Sequence, residues 1–213
     1  MTAIFLVRHG ENDFVGKRLA GRLPGVHLNQ RGKEQAHMLV DRLKQAPLKA
    51  IYSSPLERAV ETATPLAVHL GLSIQPAPGL IELDYGEWQG AELDQLRTDP
   101  LWKKVQNTPS QVCFPGGENL RAVQQRAVEE IERIASLHDE RDMIACFSHG
   151  DIIRLLLAYY LVMPLDEFQR LSADTASISL VFLTKDGIHV HSVNQAMTLD
   201  FQIPEINRKP EQK

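Results

Sequence analysis

An arginine and a histidine stand side by side at the end of a short apolar run, Ala3 to Val7, and a glycine follows them, giving Leu6-Val7-Arg8-His9-Gly10-Glu11. A guanidinium is a permanent cation with a planar fork of N–H donors that matches phosphate or carboxylate oxygens, and a neutral imidazole is a nucleophile near pH 7. Together they suit attack on a phosphoryl group. The same ending recurs at Met143 to Phe147, an apolar run closed by Ser148-His149-Gly150. A second arginine, Arg58, follows Ser54-Pro55-Leu56-Glu57. If the chain brings Arg8, Arg58, His9 and His149 together, they form a compact positive site for a dianion with several acceptor oxygens. Each residue also has a structural alternative: Arg58 can be a surface arginine in a first helical turn, and a histidine at a strand end can be core. Gly10 is expected to permit a sharp turn and close approach of a ligand to the backbone.

The elements that must position these groups are legible in outline. Ala3 to Val7, Ala50 to Tyr52 and Met143 to Phe147 read as buried strands, with Leu72 to Gln75 a further short one. Gln30 to Ala46 carries Ala36, Leu39, Val40 and Leu43 on one helical face and meets Pro47. Ser54, Pro55 and Glu57 have the spacing of an N-cap, a first-turn proline and a capping box, and open a helix with inward residues Ala59, Ala63, Leu66, Ala67 and Leu70. Pro65 is expected to kink that helix and Gly71 to stop it. Asn119 caps a helix with the stripe Leu120, Val123, Ala127, Ile131 and Ile134, and Asp151 to Val162 is apolar enough to be a buried helix. Ser177 to Leu183 and Ile188 to Val193, joined through Lys185-Asp186-Gly187, read as an edge hairpin, and the tail beyond Asn194 as frayed. Residues 86–117, polar and holding both tryptophans, read as a lid-like insertion within one domain spanning 1–213. Strands alternating with helices predict an α/β fold, a three-layer α/β/α sandwich with a mostly parallel sheet, whose strand C-terminal ends share one edge where ligands bind.

Composition narrows the classes of function. The chain has 213 residues, 43% hydrophobic and 23% charged, with a net charge of -4 and a pI near 6.1. An acidic chain is a poor partner for nucleic acid, and no apolar run approaches the ~20 residues that span a bilayer. Cys113 and Cys146 lack metal-type spacing and are expected as reduced thiols, and with no secretory leader pattern the reading is cytoplasmic. A divalent metal is disfavoured because Arg8 is a poor neighbour for it, and His189 and His191 alternate as strand residues do. No cofactor is expected, and a homodimer is left open.

Five segments together resemble one family. Leu6-Val7-Arg8-His9-Gly10-Glu11, Leu28-Asn29-Gln30-Arg31-Gly32, Ser53-Ser54-Pro55-Leu56-Glu57-Arg58-Ala59, Leu80-Ile81-Glu82-Leu83-Asp84-Tyr85-Gly86 and Phe147-Ser148-His149-Gly150 resemble, in order, the histidine phosphatase superfamily, the phosphoglycerate mutase-like group. The resemblance implies a metal-independent phosphatase in which His9 is the nucleophile, Arg8, Arg58 and His149 hold the phosphoryl oxygens, and Glu82 is the proton donor. It alone selects Glu82 over Glu11, Asp84 and Glu87. His149 is expected to act as a cation. Gly150, Asn12, Gly21 and Arg22 complete the expected phosphate- and substrate-binding set. Lys17, Arg18 and Arg22 either recognise a second anionic group or face solvent in a loop.

Hydrolysis and transfer use the same residues. A cofactor-dependent phosphoglycerate mutase is the alternative to a phosphatase acting on a small phosphorylated metabolite, and a binding module without turnover is a third reading. The segment between Trp88 and Gly117 is modest where mutases of this group carry a larger insertion. Asn12 also stands where the family usually has serine or threonine. Both features favour hydrolysis.

Overall fold

The computed structural model describes residues 2–184 and 187–196. Six strands form one sheet in the order β3-β2-β4-β1-β5-β6, where β1 is Thr2–Arg8, β2 Leu48–Ser53, β3 Ile74–Pro76, β4 Met143–Ser148, β5 Ile178–Thr184 and β6 Gly187–Gln195. The first four are parallel and the last two antiparallel, so the sheet is mostly parallel with an edge hairpin. The tip residues Lys185 and Asp186 and the tail from Met197 onward, including Asn207 to Lys213, lie outside the described residues.

Alternation along each strand sorts the core into two faces. Ile4, Leu6, Ala50, Tyr52, Ile144 and Cys146 point to one side, toward α5 (Leu120–Ser136) and α6 (Gly150–Tyr160). Val7, Ile51, Ala145 and Phe147 point to the other, toward α1 (Gln30–Leu43) and α2 (Glu57–Leu70). This is the three-layer α/β/α sandwich. Its central strands are apolar on both faces because helices cover both. The α5 stripe of Leu120, Val123, Ala127, Ile131 and Ile134 is buried, and Asn119 caps it by accepting the Ala122 N–H at 2.8 Å. Asn29 caps α1 through the Gly32 N–H at 2.9 Å, and Gly71, left-handed at φ 66°, ends α2.

Two local readings are corrected. The helix after β2 starts at Glu57 with Leu56 at its N-cap and no side-chain cap. Ser54 Oγ instead lies 2.7 Å from His149 Nε2, and Glu57 accepts the Gly25 N–H at 3.0 Å, so neither is spent on a capping box. The buried imidazole has the stronger claim on the hydroxyl, since a polar atom without water must find its partner inside the protein. At Gly10 the close neighbour is the protein itself. A Cβ there would stand 2.7 Å from the Gly32 carbonyl oxygen, and one on Gly32 would stand 2.0 Å from that of Glu11. These glycines let the start of α1 press against the strand that delivers His9.

Residues 86–117 are more ordered than their composition suggests. They contain α3 (Leu93–Leu96) and α4 (Pro100–Asn107), and they bury Trp88, Leu96, Val105, Val112 and Phe114 in the core shared with α5 and α6. Trp88 stacks on Trp102 with ring centroids 6.1 Å apart. Cys113 is exposed, Cys146 is buried, and neither is paired. Among the described residues no helix is long and apolar enough to cross a membrane, and no cluster of three metal-ligating side chains forms.

Candidate active site

Parallel pairing of β1 with β4 sets Arg8 opposite Ser148, so the next residues, His9 and His149, emerge together at the C-terminal edge. Their ring centroids are 5.3 Å apart. The His9 backbone is tied on both sides, its N–H to the Ser148 carbonyl at 2.9 Å and its carbonyl to the Ala176 N–H at 3.2 Å. The Gly10 N–H donates to Thr62 Oγ1 at 2.8 Å, and that hydroxyl donates to the Arg58 carbonyl at 2.6 Å, linking the loop after β1 to α2.

The ring states follow from the partners. His9 Nδ1 lies 2.7 Å from the Gly10 carbonyl oxygen. A carbonyl only accepts, so Nδ1 carries the proton and Nε2 keeps its lone pair. Burial, then Arg8 and Arg58, hold His9 well below the usual imidazole range, which leaves it neutral. His149 is likewise lowered by burial, Arg58, His9 and Arg8. The expected cation is therefore a neutral ring, because burial, and after it the neighbouring guanidinium groups, oppose its protonation. Ser54 Oγ also accepts the Leu56 N–H at 3.4 Å, and His149 Nδ1 is buried without a partner among the described residues. That atom lies 4.0 Å from Glu82 Oε2.

A cavity of about 420 Å³ opens over these groups, and Arg8, His9, Asn12, Gly21, Arg58, Glu82 and Gly150 all line it. Arg8 Nη1 donates to the Ala173 carbonyl at 2.6 Å, and Arg58 Nη2 to the Gly21 carbonyl at 2.8 Å. Each contact orients its guanidinium while leaving other N–H groups over. Gly150 lets Arg8 lie flat against the start of α6, since a Cβ there would stand 3.3 Å from Arg8 Cζ. Asn12 Oδ1 accepts the Phe14 N–H at 3.0 Å, and Asn12 Nδ2 has no partner among the described residues. Asparagine thus offers an N–H donor at the position where the family pattern has a hydroxyl. Glu82 is 8% exposed, and its Oε1 accepts the Leu83 N–H at 2.9 Å. Burial and the Asp151 carboxylate raise it to about 7 against the opposing pull of Arg58 and Arg8.

Two predicted site residues, His149 and Arg22, do not line the cavity: His149 is fully buried, and Arg22 is held elsewhere. Arg22 Nε donates to the Glu82 carbonyl at 2.9 Å and its Nη2 to Glu118 at 2.8 Å. Glu118 also holds Arg126, whose Nη2 donates to the same Glu82 carbonyl at 3.2 Å, and it accepts the Asp84 N–H at 3.1 Å. Arg22 braces the loop that carries Glu82. Lys17 is likewise off the cavity wall, while Arg18 is on it.

Among the wall residues that the sequence pattern does not single out are Tyr85, Asp151 and Arg154. Arg154 Nη2 and the Tyr85 hydroxyl both donate to Asp151, one to each oxygen. Burial pushes the Asp151 carboxyl up, but Arg154 and the Tyr85 hydrogen bond bring it on balance below its ordinary value, so it is ionised. Asp151 and Arg154 sit in the first turns after His149-Gly150, and that position was the available signal.

The sequence pattern of the Histidine phosphatase superfamily (branch 1) matches residues 4–196. The chain is 30% identical over 188 residues to Phosphoserine phosphatase 1 of Hydrogenobacter thermophilus, covering 86% of this chain and 87% of that protein. It is 34% identical over 160 residues to Phosphoglycerate mutase-like protein 4 of Arabidopsis thaliana, covering 72% and 68%. The solved structure of Bacillus stearothermophilus YhfR is similar at a TM-score of 0.86 and 29% identity, covering 93% of this chain and 98% of that one.

Proposed function

Because the chain belongs to the histidine phosphatase superfamily (branch 1) and is a phosphatase of that family, we propose that it hydrolyses a small phosphomonoester without a metal ion, through a phosphohistidine on His9. One observation carries this reading. Arg8 Nε, Arg58 Nε and Nη1 and Asn12 Nδ2 are donors buried without partners among the described residues, and His149 Nδ1 is buried without a partner too, a donor in the tautomer this reading takes. Buried donors are costly to leave unmet, and a phosphoryl group supplies several acceptor oxygens at once. Beside them a neutral imidazole presents a lone pair.

In the first step His9 Nε2 attacks phosphorus, the ester P–O bond breaks, and the leaving oxygen takes the proton of Glu82. Arg8, Arg58, Asn12 and His149 follow the charge on the equatorial oxygens, the work that positioned donors do in phosphoryl transfer. In the second step the Glu82 carboxylate takes a proton from water, the water oxygen attacks phosphorus, and the P–N bond breaks. Inorganic phosphate leaves with His9 neutral and Glu82 protonated again. Residues 2–196 act in this reading as one catalytic domain, with 86–117 as its cover, although only Leu93 of that segment lines the cavity. A phosphoserine phosphatase among the relatives supports a small phosphorylated metabolite as substrate.

The test is a rapid quench into alkali with a radiolabelled phosphomonoester. A protein-bound phosphoryl group that is stable in alkali, labile in acid and missing from His9→Ala is the expected result, with turnover unaffected by chelator. Phosphoryl exchange between bisphosphoglycerate and phosphoglycerate without phosphate release would assign a mutase instead.

A further inference from the structure

Beyond the groups assigned to the phosphoryl oxygens, each cation on the cavity wall among the described residues is paired with a carboxylate. Arg154 is bonded to Asp151, whose second oxygen takes the Tyr85 hydroxyl proton. Arg18 Nη2 lies 2.8 Å from Glu92 Oε1, and the two residues also form an isolated antiparallel bridge through their backbones. The opposite case is Asp174, an exposed carboxylate at the rim. Its Oδ2 accepts from the neutral Asn194 amide at 2.8 Å, which leaves its charge uncompensated at that contact. Gln169 and Ser172 add uncharged polar groups to the same wall.

Arg8 and Arg58 together match the two charges of a phosphate monoester, and among the described residues the other two wall cations, Arg18 and Arg154, are each paired with a carboxylate, although Arg154 Nε is itself buried without a partner. We propose that the natural substrate's leaving group carries no net charge, a polyol or a zwitterion, and that Glu92 enforces this by masking Arg18. The inference rests on the phosphatase reading above and deepens it. A second phosphate or a lone carboxylate would meet at the rim the exposed carboxylate of Asp174, whose hydrogen bond is to a neutral amide and whose charge faces only Arg8, a group already assigned to the phosphate. A hydroxyl finds Gln169 and Ser172, and an ammonium group finds Asp174.

Three primary-alcohol monoesters that differ in charge test it: glycerol 1-phosphate, O-phosphoserine and 3-phosphoglycerate. The neutral and zwitterionic esters should exceed the anionic one in kcat/KM on the order of tenfold, as expected for one unmatched charge several ångströms from another in a partly solvated cavity. Equal rates, or a preference for 3-phosphoglycerate, overturn the proposal. In Glu92→Gln the ratio of 3-phosphoglycerate to glycerol 1-phosphate should rise about two- to fivefold, the scale of one half-exposed ion pair. An unchanged ratio overturns the role of Glu92. Hydrolysis of p-nitrophenyl phosphate by the same preparations reports separately on the phosphatase reading, because its leaving group carries no charge to discriminate.

Discussion

His9 and His149 stand with ring centroids 5.3 Å apart and planes tilted by 59°, and their partners divide the work between them. The Gly10 carbonyl accepts the His9 Nδ1–H and leaves the Nε2 lone pair free, whereas Ser54 engages His149 Nε2 and leaves Nδ1 without a partner among the described residues. Both rings are neutral because burial and two guanidinium groups oppose protonation. In the proposed mechanism one imidazole attacks and the other binds.

Substitution His9→Ala should abolish turnover while the fold survives, because the backbone hydrogen bonds of residue 9 to Ser148 and Ala176 need no side chain. Phosphate release and thermal unfolding measured on the same sample check both parts. Substantial residual activity would reject covalent catalysis by this ring.

Replacing the proposed proton donor, Glu82→Gln, should cost about 10²- to 10⁴-fold on alkyl phosphates, the usual worth of general acid help. On p-nitrophenyl phosphate the loss should be much smaller, since that alkoxide equivalent leaves without a proton. Equal losses on the two ester types would point to a different acid.

The pH dependence has a definite sign. Glu82 donates only while protonated, and its pKa is raised to about 7 by burial and by Asp151. Alkyl-ester kcat/KM should therefore hold below pH 7 and fall as pH rises through about 7. His9, held below the ordinary imidazole range, stays neutral on the acid side and imposes no loss near pH 6.5. A profile that instead rises through pH 7 would contradict both assignments.

The brace under Glu82 predicts a leaving-group effect away from the cavity. In Glu118→Gln the hold on Arg22 and Arg126 weakens, and both guanidinium groups grip the Glu82 carbonyl. Alkyl-ester kcat should fall, by up to about 10²-fold if the carboxyl shifts by an ångström. Inhibition by inorganic phosphate should be unchanged, because the oxyanion donors are untouched. A rise in that inhibition constant would return Arg22 to the substrate-binding set.

A steric prediction concerns Gly32. Alanine there would place its Cβ 2.0 Å from the Glu11 carbonyl oxygen, a backbone atom that can yield only by moving the loop that carries His9. Overpacking of this kind costs roughly 1–3 kcal/mol, readable as a lowered urea midpoint. Activity should drop together with stability.

Much of the architecture was written locally. Strand faces, the Asn119 cap, the Gly71 stop and the α5 stripe each depend on neighbours a few residues away, so period and turn chemistry reveal them. The two histidine-glycine endings and the ordered motifs likewise announced the family from the primary structure alone. Contacts between distant segments were not legible. Ser54 looked like a helix cap until His149 arrived from β4 to claim it, and Arg22 looked like a substrate ligand until Glu118 and the Glu82 carbonyl took its N–H groups. Asp151 and Arg154 lay in an apolar helix with no motif to mark them, and only the folding of α6 against β1 set them on the cavity wall. Residue types and their order therefore determined the kind of chemistry and the sheet that bears it. Tertiary structure decided which polar groups are already satisfied by the protein and which remain to meet a ligand, because hydrogen bonding and charge compensation act through space, between segments the chain separates.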